Sequence, residues 1–278
     1  MEFVVDYKNL DLNRERFKEQ FSNATPFKYL VIDNLLHSNI ALEMNKEIEG
    51  EDQEISWIRH KTYNQDLYGL SEIKKYKKFT ELVYKDLVSS RFMEFLRFIT
   101  SDSILIPDYT LYGGGVRKAF RGGHLNLHVD FLNHTVNKKL RRKLNLIFYL
   151  NTNWKPEYGG DLELWDPNCE YMAHKIAPLF NRCVLFETTS SSYHGFPDKL
   201  KCPEGMTRNS FAIYYYNEIN KELKIETSHY RARPQDKLTE HLFVNASNKL
   251  QKIYSFMIRN SLISHNFTNK IINLFFKR

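Results

Sequence analysis

The chain has 278 residues, of which 42% are hydrophobic and 14% aromatic, which is enough for a substantial core and excludes a disordered protein. No run of residues reaches the roughly 18 apolar positions that a membrane-spanning helix needs. The first residues lack a basic region followed by an apolar one, so we expect no signal peptide and a cytoplasmic location. Cys169, Cys183 and Cys202 have no CxxC spacing and an odd count, which favours reduced, structural thiols.

The net charge of +7 lies in the C-terminal part of the chain. Residues 221–278 contain 11 Lys and Arg against 4 Asp and Glu, and residues 1–220 carry no net charge. A basic segment of this kind can favour RNA or an anionic lipid surface. Aromatic residues are not interleaved with the basic ones as they are in nucleic-acid-binding strands. We therefore expect a solvated helix face and no nucleic-acid or membrane partner, with contact to a membrane surface left as an alternative.

Residues 1–103 are mostly helical in pattern and are expected to pack on the rest of the molecule. One strand is predicted at 28–36. The next segment has Ser38 as a plausible N-cap and Gly50 as a stop, which predicts a helix. Apolar residues at helical spacing predict further helix over 70–100.

Residues 104–220 change to short strands separated by Gly, Pro and Asn. Eight segments show this pattern: LIPDYTLYGGG, HLNLHVDF, KLNLIFYLN, GGDLELWD, HKIAP, RCVLFETT, YHGFP and RNSFAIYYYN. Their number and spacing predict an antiparallel jelly-roll core, so the fold class is mainly β with flanking helices. Residues 221–278 form a basic, mostly helical extension of this single catalytic domain. Its last apolar stripe is predicted to dock on the sheet or a second subunit, or to bind a membrane surface, and consists of Phe267, Ile271, Leu274 and Phe275.

The segment HLNLHVDF, residues 124–131, has an unusual polar face. If side chains alternate, His124, Asn126, His128 and Asp130 share one side and the leucines share the other. We expect this polar side to look into the mouth of the barrel. His124 and Asn126 then either hydrogen-bond to groups around the mouth, or His124 caps the strand near the surface.

The pair His128-x-Asp130 is followed by His194 and, 14 residues later, by Arg208. Two imidazoles and one carboxylate on one side of a metal ion are the ligands typical of non-haem Fe(II) oxygenases. A lone histidine is more often an ordinary core residue, so the prediction of a metal site depends on the order of the neighbouring segments. An arginine at the end of an apolar strand needs an anionic partner, because an unpaired buried charge is costly. No acidic residue occupies the flanking strand positions, which indicates a bound carboxylate.

The order of HxD, His and Arg within RKLNLIFYLN, GGDLELW, PLFNRCVLF and RNSFAIYYY resembles the prolyl 4-hydroxylase-like branch of the Fe(II)/2-oxoglutarate-dependent dioxygenases. The resemblance covers about 104–217 and implies a double-stranded β-helix of the cupin type. It implies that His128, Asp130 and His194 bind iron. It also implies that Arg208 and Tyr149 hold the distal carboxylate of 2-oxoglutarate, assisted by Ser210, which faces the same way as Arg208.

The resemblance implies hydroxylation of a C–H bond with Fe(II), 2-oxoglutarate and O2, with ascorbate as a further cofactor. The expected substrate is a prolyl residue in a protein or peptide. Alternatives are the same chemistry on an amino acid, sugar or glycan precursor, and a non-catalytic cupin-like binding module.

Three further segments lie near the expected site. The spacing from His194 to Arg208 is longer than is typical of this branch, so the insert DKLKCPEGMT is expected to loop out. The basic segments RKAFRGG and NHTVNKKLRRK are expected as loops beside the mouth, where their charge favours an anionic or polar substrate.

Overall fold

The structure is a computed structural model that describes residues 3–50, 57–134, 137–220 and 228–259. Five α-helices occur in these residues: α1 (Tyr7–Asn23), α2 (Ser38–Glu49), α3 (Lys78–Leu87), α4 (Ser90–Thr100) and α5 (Leu238–Arg259). The strands are β1 (Tyr29–Asp33), β2 (Ile58–Thr62), β3 (Gln65–Leu70), β4 (Ile106–Pro107), β5 (Gly115–Ala119), β6 (His124–Val129), β7 (Leu140–Tyr149), β8 (Leu162–Trp165), β9 (Met172–Ile176), β10 (Arg182–Glu187), β11 (His194–Phe196), β12 (Arg208–Glu218) and β13 (His229–Tyr230).

All the strands belong to one antiparallel sheet that curls into a half-barrel. The main order is β1-β10-β7-β12-β5-β3-β6-β11-β8-β9, with β13 beside β6, β2 beside β3 and β4 beside β12. The long gaps in sequence between neighbouring strands are those of a jelly roll, in which distant segments meet across the barrel. The predicted fold class is confirmed.

Strand β12 shows how the sequence divides the sheet into two faces. Its residues from Arg208 to Tyr216 are all buried, because both faces of this central strand are covered. Phe211, Ile213 and Tyr215 belong to the large core cluster that contains the residues of helices α1 to α4. Arg208, Ser210 and Tyr214 alternate with them and line a cavity inside the curl. The apolar face therefore fixes the sheet to the helices, and the polar face is left for a site.

The predicted helices of the first segment are present, with one interruption. Helix α2 begins at Ser38 and is followed by Gly50, as expected, although His37 is the residue at the N-cap position. The helical pattern over 70–100 divides into α3 and α4, where the Ser89 hydroxyl accepts a hydrogen bond from the Phe92 amide and starts the second helix.

Three expectations about strands are wrong. Residues 58–70 form the hairpin β2–β3, so the first segment contributes β1, β2 and β3 to the sheet rather than one strand. The segment RKAF is strand β5 and not a loop, because it pairs with β12 on one side and β3 on the other. Most of the predicted strand LIPDYTLYGGG is irregular, and Ile106–Pro107 is its only paired part before Gly115.

The C-terminal segment joins the sheet before its helix begins. His229 and Tyr230 pair with Val129 and His128, and α5 follows. The apolar stripe predicted from Phe267 onward lies outside the described residues. None of the helices in the described part of the chain has the length and apolarity needed to cross a bilayer.

Candidate active site

A β-bulge in β6 divides the polar side chains that simple alternation placed together. His194 pairs with His128 and Phe196 pairs with Leu125, so β6 carries one extra residue between these pairs. As a result Leu125, His128 and Asp130 line the central cavity. A Cβ at Gly195 would lie 2.7 Å from the Leu125 carbonyl oxygen, so a glycine is needed opposite the bulge.

His124 and Asn126 consequently lie outside the site, and their expected place beside His128 and Asp130 is wrong. They line a separate cavity beside α5. The His124 Nε2 lies 3.2 Å from the Tyr63 carbonyl oxygen, and the Asn126 amide donates to the Asn64 side chain at 3.2 Å. Both residues therefore hold the β2–β3 turn against β6.

His128, Asp130 and His194 meet in the central cavity. One ligand atom from each lies within 4.8 Å of the others. The Nε2 atoms of His128 and His194 are 3.5 Å and 3.7 Å from the carboxylate oxygens of Asp130. The β6–β11 pairing produces this geometry, since it sets the two histidines directly opposite each other.

The hydrogen bonds of the two imidazoles fix which nitrogen is available to a metal. The His128 Nδ1 lies 2.9 Å from the Asn126 carbonyl oxygen, and the His194 Nδ1 lies 3.0 Å from the Ser192 carbonyl oxygen. A carbonyl accepts only, so each Nδ1 carries the proton and each Nε2 has a free lone pair. Burial and the neighbouring His128 lower the pKa of His194 to about 4, so its imidazole is neutral at neutral pH.

Asp130 is held in its ionised form. Burial alone would raise its pKa, but the nearby Arg142 guanidinium lowers the pKa well below its usual range. The Asn145 amide also donates to the Asp130 carboxylate and accepts a 3.1 Å hydrogen bond from the Thr188 hydroxyl. The carboxylate is therefore both charged and fixed in direction.

Arg142 is the residue of this site that the sequence analysis missed. It belongs to a basic segment that was expected as a loop, yet it lies on β7 and is fully buried. Its Nη1 is 3.2 Å from the Asp130 carboxylate. Its guanidinium carbon lies 3.5 Å and 3.9 Å from the ring centroids of Tyr214 and Phe131. Simple alternation backward from Leu144 would place Arg142 on the opposite face, and a register shift in β7, where Leu144 pairs with Tyr215 but Arg142 with Tyr216, turns it toward Asp130.

Arg208 lies in the same cavity, at the beginning of β12, and is 5% exposed. Its Nε donates to the Gly160 carbonyl oxygen at 2.7 Å, and its guanidinium stacks on the Phe196 ring at 4.1 Å. Burial lowers the pKa of Arg208. The charge of Asp161 opposes this lowering, but Asp161 itself forms an ion pair with Lys175 at 3.4 Å. Among the described residues no carboxylate forms an ion pair with Arg208.

Tyr149 and Ser210 accompany Arg208. The Arg208 Nη2 donates to the Tyr149 hydroxyl at 3.3 Å, and Ser210 is the register partner of Tyr149 on the neighbouring strand. The insert between His194 and Arg208 does not loop out, because Leu200 is buried and exchanges backbone hydrogen bonds with the Gly122–Gly123 turn.

The central cavity has a volume of about 290 Å³ and is also bounded by the C-terminal segment. The Tyr230 ring lies 5.4 Å from the His128 ring. The Asn248 side chain of α5 accepts from the Tyr230 amide at 3.1 Å and donates to its carbonyl oxygen at 2.8 Å. The basic extension therefore supplies one wall of the site.

Residues 114–216 match the family model of the 2OG-Fe(II) oxygenase superfamily. Over this range, which is less than half of the chain, the sequence is similar to that superfamily. The matched range contains His128, Asp130, His194 and Arg208, and the superfamily name states the cofactor and cosubstrate that these residues suit.

The chain is also similar to three individual proteins. The "Prolyl 3-hydroxylase OGFOD1" of Mus musculus is 26% identical over 218 residues, which cover 74% of this chain and 38% of that protein, so the chain spans well under half of its curated relative. The structure of a Trichoplax adhaerens prolyl hydroxylase in complex with a hypoxia inducible factor peptide is 18% identical, with 76% and 91% of the two chains covered and a TM-score of 0.51. HygX of Streptomyces hygroscopicus, with nickel, 2-oxoglutarate and hygromycin B bound, is 13% identical, with 74% and 89% covered and a TM-score of 0.50. The two structural similarities show the shared fold.

Proposed function

We propose that the chain is an Fe(II)- and 2-oxoglutarate-dependent dioxygenase that hydroxylates a prolyl residue of a protein or peptide. The proposal rests on the set of residues that line one cavity. Three metal-ligand groups lie within 4.8 Å of one another there. A buried arginine that has no carboxylate partner in the part of the chain that the structure describes lines the same cavity. We further propose that the three segments 1–103, 104–220 and 221–278 act as one catalytic domain.

His128, Asp130 and His194 are the proposed iron ligands. The donor set fits Fe(II), because two neutral imidazole nitrogens and one carboxylate occupy one side of an octahedral ion and leave three positions open. The protonated Nδ1 atoms and the ionised Asp130 give each group the charge state that a ligand needs. The protein thus prepares the ligands before any metal binds.

Arg208 and Tyr149 are the proposed partners of the distal carboxylate of 2-oxoglutarate, with Ser210 beside them. A guanidinium can grip a carboxylate through two parallel hydrogen bonds, and a buried carboxylate offsets the cost of burying the arginine. Bound Fe(II), 2-oxoglutarate and O2 supply oxidative decarboxylation to succinate and CO2, with one oxygen atom inserted into a substrate C–H bond. The residues of the chain orient the cosubstrate and exclude water, and no acid–base pair is required.

The prolyl substrate is supported by the curated mouse relative, a prolyl 3-hydroxylase, and by the fold shared with a prolyl hydroxylase. The alternative is a small molecule, which the fold also accommodates in HygX.

The test is incubation of the protein with proline-containing peptides, Fe(II), 2-oxoglutarate and ascorbate in air. Mass spectrometry of the peptides and of a metabolite mixture separates the two substrate classes. The proposal predicts a peptide heavier by one oxygen atom on proline, and succinate in equal amount. A modified metabolite with unmodified peptides would favour the small-molecule alternative.

A further inference from the structure

A second arginine lines the central cavity, and the proposed chemistry does not use it. Arg117 lies on β5, where its register partners are Ser210 of β12 and Gly69 of β3. Residues opposite one another in antiparallel strands share a face, so Arg117 faces the cavity as Ser210 does. The preceding residue, Val116, points toward the helices. The following residue, Lys118, also borders the cavity, but its Nζ donates to the Ile48 carbonyl oxygen of α2.

Gly69 of the neighbouring strand β3 leaves room for the Arg117 guanidinium. A Cβ at Gly69 would lie 2.6 Å from the Arg117 Nη1 and 3.1 Å from the His60 Nε2. A glycine in a strand is expected where another group must approach the backbone closely. Arg117 therefore lies across the bare backbone of β3, beside His60 of β2.

The hydrogen bonds of Arg117 use neutral acceptors only. Its Nη2 donates to the Gly113 carbonyl oxygen at 2.6 Å, and its Nη1 lies 3.4 Å from the Ser71 hydroxyl. Among the described residues none of the ion pairs involves Arg117, and burial lowers its pKa. Burial and Arg117 also lower the pKa of His60, so the pair carries one positive charge at neutral pH.

2-Oxoglutarate cannot account for this charge, given the proposed function on which this inference rests. One of its carboxylates binds the metal and the other binds Arg208, which leaves Arg117 for the substrate. We infer that Arg117, seated on Gly69 beside His60, binds a carboxylate of the substrate, and that the peptides hydroxylated here carry an acidic residue next to the target residue. A single positive charge suits a carboxylate better than a doubly charged phosphate.

The test measures peptide binding without turnover. Proline peptides that differ only in Glu, Gln or phosphoserine beside the proline are titrated into the protein loaded with Mn(II) and 2-oxoglutarate. We expect the Glu peptide to bind about tenfold or more tightly than the Gln peptide, because a charge-assisted hydrogen bond is lost in the latter. The Arg117→Met variant should remove this preference, Arg117→Lys should restore part of it, and Gly69→Ala should weaken it by displacing the guanidinium.

The matched control is Arg121→Met, which removes the same charge from an exposed arginine that donates to the Lys201 and Cys202 carbonyl oxygens. It should keep the Glu preference. The affinity of Arg117→Met for 2-oxoglutarate should equal that of the parent, because Arg208 is intact, and this also shows that the variant folds. Equal binding of the Glu and Gln peptides, tighter binding of phosphoserine, or a preference that survives in Arg117→Met would overturn the inference. A Glu preference in a protein that forms no succinate would support the inference and contradict the proposed function instead.

Discussion

Two buried arginines, Arg142 and Arg208, occupy opposite situations around one cavity. Both stack on aromatic rings, and both lose the hydration that a guanidinium has at the surface. Arg142 has an internal counter-charge in Asp130, whereas within the described ranges Arg208 has the neutral partners Gly160 and Tyr149. Asp130 thus has its counter-charge within the protein, and we propose that an anion from outside supplies the counter-charge of Arg208.

This difference predicts opposite effects on the stability of the protein. Removing one member of a buried ion pair leaves an uncompensated charge, which is strongly destabilising. Removing a buried charge that has no ion-pair partner is much less destabilising, because no uncompensated charge is left behind. The following substitutions test that contrast, from the largest expected effect to the smallest.

Arg142→Met should destabilise the metal-free protein by about 3–5 kcal/mol, because Asp130 is left buried without its counter-charge. Metal affinity should also fall, by about 10- to 100-fold, as it does when a partner of a ligand is lost. Urea unfolding and Mn(II) titration measure the two effects. The double variant Arg142→Met/Asp130→Asn should recover stability but not metal binding. Equal stability of the parent and Arg142→Met would contradict the claim that Arg142 neutralises the buried Asp130.

Arg208→Met should raise the KM for 2-oxoglutarate by about 10- to 100-fold, since charge-assisted hydrogen bonds to the carboxylate are lost. The metal-free variant should be at least as stable as the parent, in contrast to Arg142→Met. Adding 2-oxoglutarate at 100 times its Kd should stabilise the parent with metal by about 2.7 kcal/mol, and the variant much less. A strong loss of stability in the metal-free variant would mean that Arg208 has a purely structural role.

Tyr149→Phe removes one neutral hydrogen-bonding group from the Arg208 region and keeps the ring. The KM for 2-oxoglutarate should rise about fivefold, which corresponds to roughly 1 kcal/mol for one hydrogen bond. Metal affinity should not change, because Tyr149 contacts none of the three ligand residues in the hydrogen bonds of the described structure. Steady-state kinetics at several 2-oxoglutarate concentrations measure the effect, and a rise as large as that of Arg208→Met would contradict the division of roles.

Asn248→Ala breaks the two hydrogen bonds that hold the Tyr230 backbone beside His128. We expect a small effect on metal and 2-oxoglutarate binding, about twofold, and a loss of roughly 1–3 kcal/mol of stability because buried backbone groups lose their partners. The exposed Asn137→Ala variant is the control for the general effect of replacing an asparagine with alanine. Unchanged stability in Asn248→Ala would show that the C-terminal wall is held by other contacts.

The sequence predicted the parts of this site that depend on residue type and order. His128, Asp130, His194 and Arg208 could be named because few residue types serve as metal ligands or grip a carboxylate, and the strands that carry them are strongly apolar. The bulge in β6 could not be predicted, because it depends on Gly195 of a distant strand approaching the backbone.

Charged strand residues were the other source of error. Arg142 and Arg117 lie in basic segments that resemble surface loops. Arg142 is buried beside Asp130, and Arg117 is half-buried across the bare backbone of Gly69. The contribution of Tyr230 was equally hidden, because its segment is basic and its place beside β6 is set by α5. The positions of Arg142, Arg117 and Tyr230 all depend on pairing between strands that are distant in sequence, which no local sequence pattern indicates.

The most direct test of the central claim is succinate formation from 2-oxoglutarate by the intact protein, with and without Fe(II), compared with its His128→Ala variant. The matched control is His174→Ala, which removes a half-buried histidine of β9 that does not line the central cavity. The account predicts Fe(II)-dependent succinate in the parent and the control, and none above background in His128→Ala. Succinate formation by His128→Ala at the parent rate would contradict the assignment of this cavity as the iron site.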